Sequence, residues 1–218
     1  MPLYLNLNLP ILSQWEYFLN MCEVIVYSEE SLNIDEHVEM LIRALSNVSD
    51  DYIGYDANKD DEKVIKYAER VFAYELYHQF RSLMDENCGC YLNAEIKKDS
   101  KILEWEAKQD CYPDLVLHGS PIHIDPQTQY FLCEIKMDYN NLMLNDLDKL
   151  AKLFDSNLHF QHYISLFIGV SKEELKRKIE NQIKERKLND KTLCICRKKH
   201  VIEVFKLDFI TLHKKYND

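Results

Sequence analysis

Apolar positions follow a helical period in the first part of the chain and a strand period further on. In residues 34–45 they recur three and four positions apart, which predicts an amphipathic helix. The same spacing returns in residues 60–87, so we predict one long helix there, ending at a turn-like Asn-Cys-Gly sequence. The polar, acidic residues 46–63 separate the two helices. We therefore expect residues 1–62 to form an acidic helical N-terminal extension packed on the core.

After the long helix, short apolar runs alternate with polar or proline-containing loops. The predicted strands are residues 90–97, 112–118, 130–137, 163–170, 192–197 and 201–207. A helix is predicted over residues 144–154, and another begins after Ser171, which forms a capping-box pattern with Glu174 and precedes charged residues up to about Lys187. The order is therefore αβββαβ followed by αββ. An α/β fold with a mixed central sheet flanked by helices over residues 63–218 is the most economical packing.

The charge is distributed unevenly. The net charge of −10 lies entirely in residues 1–63, which contain three basic and thirteen acidic residues. Residues 172–218 contain fourteen Lys or Arg and eight Asp or Glu, so the end of the chain is basic. Two interpretations stay open: a solvated helix surface, or a rim that faces phosphate groups.

Several classes of function are disfavoured by the composition. No apolar run approaches the roughly 18–20 residues that span a bilayer, so we expect no membrane partner. Four dispersed glycines exclude a phosphate-binding P-loop. Seven cysteines without a C-x-x-C pair, and a first segment without a basic leader, favour a reduced, cytoplasmic setting. Zinc binding by the eight histidines and thiol catalysis by Cys111 or Cys133 are minor alternatives.

Three anomalies in the pattern are candidates for chemistry. Glu75 and Gln79 fall within the apolar arc of the long helix, where a carboxylate is costly unless a charge meets it. Asp114 precedes three apolar strand residues, although it can simply end the preceding loop. Glu134 and Lys136 project from the same face of a predicted strand, which also suits a surface ion pair.

Taken together, these residues resemble the PD-(D/E)xK nuclease superfamily. Pro113-Asp114 is followed, after nineteen intervening residues, by Glu134-Ile135-Lys136, and Glu75 lies on the helix before the three strands. Residues 68–79 are also similar to the start of uncharacterised bacterial members of that superfamily. The resemblance covers about residues 63–170 and implies a restriction-endonuclease-like αβββαβ core.

The resemblance also implies a metal-dependent active site. It assigns Asp114, Glu134, Glu75 and the backbone carbonyl of Ile135 to an Mg²⁺ ion, for which Mn²⁺ can substitute. Lys136 is expected to orient or deprotonate the attacking water and to stabilise transition-state charge.

Gln79 is expected to hold Glu75 by a hydrogen bond, and His78 either lines this site or is an outward-facing residue. The expected activity is hydrolysis of nucleic acid, with DNA favoured over RNA, and a homodimer is an open alternative to the monomer. The competing interpretation is a catalytically silent module with the same fold, which binds nucleic acid or a partner protein without cutting.

Overall fold

The secondary structure is known for ten separate stretches of the chain. The computed structural model describes residues 24–27, 32, 34–53, 55–59, 62–66, 69–94, 113–119, 125–137, 159–180 and 192–206. Its helices are α1 (Glu36–Asn47), α2 (Glu69–Leu83) and α3 (Lys172–Glu180). Its strands are β1 (Val24–Tyr27), β2 (Tyr55–Lys59), β3 (Glu62–Lys66), β4 (Tyr91–Ala94), β5 (Leu115–His118), β6 (Gln129–Lys136), β7 (His162–Ile168), β8 (Leu193–Lys198) and β9 (Val201–Lys206).

Seven of these strands form one mixed sheet in the order β1-β9-β8-β7-β6-β5-β4, and β2 and β3 form a separate antiparallel pair. The β4-β5-β6 unit is antiparallel, β6, β7 and β8 are mutually parallel, and β8 and β9 form an antiparallel hairpin. The predicted α/β class with a mixed central sheet is confirmed. Because β6, β7 and β8 are parallel, their carboxyl ends lie at the same end of the sheet.

Helices α1 and α2 contact each other and share a core with one face of the sheet. Both are amphipathic, and the side chains they bury are Val38, Leu41, Ile42, Ala44, Leu45, Phe72, Leu76 and Phe80. From β6, Phe131, Cys133 and Ile135 join the same core, as the period of two requires. The predicted helix near residues 34–45 is therefore part of the main core.

Polar contacts hold α1 at both of its termini. At the N-terminus, Asp35 Oδ1 accepts hydrogen bonds from the amides of His37 and Val38, at 3.0 Å each. Near the C-terminus, the buried Arg197 donates from Nη1 to the Leu45 carbonyl at 2.6 Å. That carbonyl belongs to the last turn, where a cation also complements the helix dipole. His162, the first residue of β7, also contacts Asp35 Oδ2 at 2.9 Å, so α1 is held against both β7 and β8.

Two predictions about the first third of the chain are wrong. Residues 1–62 are not purely helical, because β1 joins the sheet parallel to β9 and β2 precedes α2. The long helix begins at Glu69 rather than near residue 60, since residues 62–66 pair with β2 as a strand. The apolar pair Val64-Ile65 fits both periods, and β-branched residues favour strands.

The later elements agree with their predictions. Ser171 and Glu174 form the expected capping box, with Ser171 Oγ accepting from the Glu174 amide and Glu174 Oε2 accepting from the Ser171 amide. The β8–β9 hairpin turns at Lys199, whose φ is +54°. The helix predicted over residues 144–154 lies outside the described residues. None of the described helices is long and apolar enough to cross a membrane.

Candidate functional site

Asp114 lies immediately before β5 and contacts the next strand through its side chain. Its Oδ2 accepts a hydrogen bond from the Ile135 amide at 2.6 Å. The antiparallel register pairs Leu115 with Cys133, and one further step in that register places Asp114 opposite Glu134. Directly opposed residues of antiparallel strands project from the same face. The register of the sheet therefore places Asp114 and Glu134 side by side on one face.

Glu134 is a buried acidic residue, with only 3% of its surface exposed. Its neighbour in β7 by strand register is Ser165, which is equally buried. Cys133 precedes Glu134 in β6 and pairs with Leu115. Burial raises the pKa of its thiol, and the nearby carboxylates of Asp114 and Glu134 raise it further. A thiol in this environment stays protonated, so Cys133 is unsuited to nucleophilic catalysis.

Lys136 ends β6 and contacts the first residue of α2. Its Nζ lies 3.1 Å from Glu69 Oε1, and the Met137 amide donates to Glu69 Oε2 at 3.3 Å. Glu69 therefore uses both carboxylate oxygens to join α2 to the end of β6. The Lys136 side chain is 21% exposed.

Glu69, not Glu75, is the helix carboxylate that meets Lys136. Glu75 Oε1 accepts from Gln79 Nε2 at 2.6 Å, and its Oε2 lies 3.7 Å from Nδ1 of the exposed His78. Six residues at about 100° each place Glu69 and Glu75 about 120° apart around the helix. The predicted hydrogen bond between Gln79 and Glu75 is present, but it stabilises a separate part of α2.

Sequence reasoning missed Glu69 because it began the helix too early. With a start near residue 60, Glu69 becomes one of many charges in a helix interior. The signal that identifies it is the true helix start, since an acidic residue in the first turn complements the helix dipole.

An open cleft of about 330 Å³ lies beside these residues. Its lining residues are Glu69, Arg70, Ala73, Tyr74, Ala94 and Asp114. Tyr74 is 54% exposed, which is unusual for an aromatic side chain on a packed helix. Asp114 and Glu69 thus face a space that a ligand can enter.

Asp114 and Glu134 are the two acidic residues that strand register brings side by side. Within the stretches that the structure describes, no three His, Cys, Asp or Glu side chains form a group that could hold a metal ion. Two carboxylates and a neighbouring backbone are the donors at this point of the sheet.

The basic end of the chain is partly neutralised by ion pairs. Lys198 Nζ contacts Glu174 Oε1 at 2.5 Å. Arg197 is buried and pairs with Asp50 at 3.3 Å, so it has a structural role. Among the basic residues of this segment whose exposure the structure describes, Arg177 and Lys199 are exposed.

Neither a family model, nor a curated protein, nor a solved structure matches this chain. The resemblance to the PD-(D/E)xK superfamily therefore depends on the residues and geometry of the chain itself.

Proposed function

We propose that this chain is a metal-dependent nuclease that hydrolyses phosphodiester bonds, with DNA favoured over RNA as its substrate. The observation that carries the proposal is the hydrogen bond from the Ile135 amide to Asp114 Oδ2. It ties the residue before β5 to the strand that carries Glu134 and Lys136. Two carboxylates and an ammonium from distant parts of the sequence thus belong to one end of one sheet, beside an open cleft.

The order of the elements supports the proposal. Helix α2 is followed by the antiparallel strands β4, β5 and β6, and β7 then lies parallel to β6. A restriction-endonuclease-like core has the order αβββαβ, and the described elements supply its first helix and its four strands; the second helix, predicted over residues 144–154, lies outside the described stretches. On this basis we assign residues 69–168 to such a core.

The donor set suits Mg²⁺ or Mn²⁺. Carboxylate oxygens are the ligands that these hard cations prefer, and Mg²⁺ commonly takes one or two carboxylates together with waters and substrate phosphates. Asp114 and Glu134 are the residues that would hold the ion, with the Ile135 carbonyl as the backbone ligand that the resemblance implies. When bound, such an ion neutralises phosphate charge and activates water.

Lys136 is the residue that we expect to contact the reacting atoms. Its ammonium can donate to a phosphate oxygen or to the attacking water, which stabilises the negative charge of the transition state. Glu69 holds Nζ at 3.1 Å and so fixes the direction of the side chain before substrate arrives. In this proposal Glu69 is a positioning residue that acts through Lys136.

Arg70 and Tyr74 give the cleft a surface suited to nucleic acid. Both line the space beside Asp114, and Tyr74 is half-exposed. A guanidinium can contact backbone phosphates, and an exposed aromatic ring can stack on a base without sequence preference. We therefore expect that the nucleic-acid strand undergoing cleavage passes along the N-terminal turn of α2.

The test is a cleavage assay with Mg²⁺ or Mn²⁺ on duplex, single-stranded and branched DNA and on RNA. We expect cleavage by the wild type, and a loss of about 100-fold or more in Asp114→Asn and in Lys136→Ala. Glu69→Gln should lower kcat with little change in KM, because it disturbs the direction of Lys136 rather than substrate contact. Identical behaviour of the wild type and Asp114→Asn on all substrates would exclude the nuclease.

Two matched controls separate the site from the fold. Glu75→Gln changes a carboxylate on the same helix outside the cleft and should leave kcat and KM unchanged. Arg43→Ala removes an exposed cation of α1 and controls for net charge in the comparison with Lys136→Ala. Thermal unfolding of each variant shows whether it is folded.

A second candidate is the silent module that binds nucleic acid or a partner protein. The observation that favours it is the low accessibility of the charged groups, since Glu134 is 3% exposed and Lys136 is engaged by Glu69. In that case the protein binds oligonucleotides equally well with and without divalent metal, and cleaves none of them. Asp114→Asn then leaves the binding unchanged.

A further inference from the structure

A second group of reactive side chains lies at the end of the sheet opposite Lys136. The turn between α2 and β4 carries Cys88 and Cys90, and it packs near the start of α1 and the first residues of β6. His37 from α1 and Tyr130 from β6 stack there, with ring centroids 3.9 Å apart. We call Cys88, Cys90, His37 and Tyr130 the thiol cluster. The proposed nuclease does not use it.

The two cysteines fold back on the same tight turn. Cys90 Sγ lies 3.3 Å from the Cys88 carbonyl oxygen, and the Cys90 amide lies 3.4 Å from Cys88 Sγ. Gly89 between them has a φ of +66°, in the left-handed region that glycine adopts without strain. Each thiol thus contacts the backbone of the other cysteine, and the two thiols are close enough to influence each other.

The two thiols differ in exposure and in surroundings. Cys88 is exposed, whereas Cys90 is partly buried. Burial raises the pKa of Cys90, a hydrogen bond with Tyr130 opposes this rise, and the neighbouring Cys88 thiol and the carboxylate of Glu36 add to it. Cys88 is therefore the thiol that a reagent meets first.

His37 is positioned to accept the proton of Cys90. Its Nε2 lies 4.0 Å from Cys90 Sγ. On the other side of the ring, Nδ1 lies 3.9 Å from Asp35 Oδ1, and Asp35 is itself fixed by His162 at 2.9 Å. A base with an oriented ring beside a partly buried thiol is the arrangement that activates a thiol for attack.

We propose that Cys88 and Cys90 form a dithiol site that exchanges with small-molecule disulfides such as glutathione disulfide. This site gives the protein a thiol–disulfide exchange activity that does not depend on the proposed nuclease.

The exchange proceeds in two balanced steps. The Cys88 thiolate attacks one sulfur of the external disulfide, whose S–S bond breaks, and the first thiolate leaves and takes up the proton that Cys88 released. Cys90 then gives its proton to His37 and attacks the sulfur of Cys88. The mixed disulfide breaks, and the second thiolate leaves with the proton from His37. The protein pair loses two electrons and the small disulfide gains them.

The test uses the full chain with Cys22→Ser and Cys111→Ser, which removes the two cysteines outside the described residues. The three other cysteines, Cys133, Cys194 and Cys196, are buried, and burial raises the pKa of each. After treatment with glutathione disulfide, peptide mapping should find an internal Cys88–Cys90 disulfide and no lasting glutathione adduct. Dithiothreitol should restore both thiols.

Variants separate the two steps. Cys90→Ser should retain glutathione on Cys88, because the attacking thiol is gone. Cys88→Ser should react about tenfold more slowly than the parent, since only the less accessible thiol remains. His37→Gln should capture glutathione at the parent rate but close the ring about tenfold more slowly, a difference that a purely structural role does not produce.

Three results would overturn the proposal. One is a glutathione adduct on Cys88 that persists in the parent as it does in Cys90→Ser. Another is a reaction of Cys88 and Cys90 with glutathione disulfide that occurs only after the protein is unfolded in urea. The third is formation of the Cys88–Cys90 disulfide at equal rates in the parent and in a folded His37→Gln. If His37→Gln does not fold, the same comparison is made with Tyr130→Phe, which keeps the ring but removes the hydrogen bond to Cys90.

Discussion

The two ends of the seven-stranded sheet carry different chemistry on the same scaffold. At the carboxyl ends of β6 and β7, Asp114 lies opposite Glu134 by strand register, and Lys136 contacts Glu69. Asp114 and Glu69 line the open cleft there. At the opposite end, two thiols, a histidine and a tyrosine form the thiol cluster. Hard carboxylate oxygens suit a divalent cation and phosphate, whereas thiols suit redox exchange. Under the two proposals, the two ends of the sheet hold sites that act independently.

The largest expected effects come from one substitution at each end of the sheet, each of which should remove one activity and spare the other. Asp114→Asn should reduce metal-dependent hydrolysis about 100-fold or more, while glutathione exchange at Cys88 stays unchanged. Cys88→Ser should abolish formation of the internal disulfide and leave hydrolysis unchanged. Both activities are measured on the same preparations. Coupled losses would mean that one end of the sheet controls the other.

Much of the carboxylate end was predictable from sequence, because its residues follow simple periods. Glu134 and Lys136 alternate with core residues along one strand, and Asp114 stands just before another, so a period of two places them. Glu69 was not predictable in the same way. Its role depends on where α2 begins, and the apolar pair Val64-Ile65 extends the helical pattern into a segment that pairs as a strand.

The thiol cluster shows the other limit of sequence reasoning. Cys88 and Cys90 lie two residues apart, but His37 and Tyr130 come from α1 and β6. Nothing local in the sequence links these three segments. Their meeting depends on how α1 lies across the sheet. Arg197 fixes this position by donating to the Leu45 carbonyl, although the two residues are more than a hundred positions apart in the sequence. Tertiary contacts of this kind have no periodic signal.

Helix α1 connects the two ends, and its contact at the carboxylate end should be the stronger one. Arg197→Met should lower the free energy of unfolding by about 2–3 kcal/mol, because hydrogen bonds from a buried charged group are lost. The loss should stay in this range since Asp50, the ion-pair partner, is 48% exposed and can be solvated. Urea denaturation measures the change, with the exposed Arg43→Met as the control. An effect below 0.5 kcal/mol, within the range of ordinary surface substitutions, would show that α1 does not need this contact.

At the thiol end, α1 is held by the contact between Asp35 and His162. This contact should make the stability of the protein depend on pH in the acid range. Burial alone would raise the pKa of Asp35, but hydrogen bonds from His162 and from the Val38 amide lower it to about 2 from 3.8. A folded-state pKa below the unfolded value stabilises the protein above pH 3.8, and this contribution is lost as the pH falls towards 2.

Asp35→Asn tests that dependence, because Asn retains the helix cap without the charge. Between pH 5 and pH 2, the wild type should lose about 2 kcal/mol more stability than this variant. Urea titrations at each pH measure the difference. Parallel stability curves for the two proteins would show that His162 does not hold Asp35 in its charged form.

The smallest expected effect concerns the ion pair between Glu69 and Lys136. Because their side chains are 38% and 21% exposed, a double-mutant cycle of Glu69→Gln and Lys136→Met should give a coupling of about 0.5–1 kcal/mol in stability. A coupling of this size is too weak to explain the arrangement as a stabilising device, and under the proposed function the pair serves to direct Lys136. If the coupling instead approaches 3 kcal/mol, the pair behaves as a buried structural bridge. Lys136 would then be committed to the fold, and the silent binding module becomes the better account of this end of the sheet.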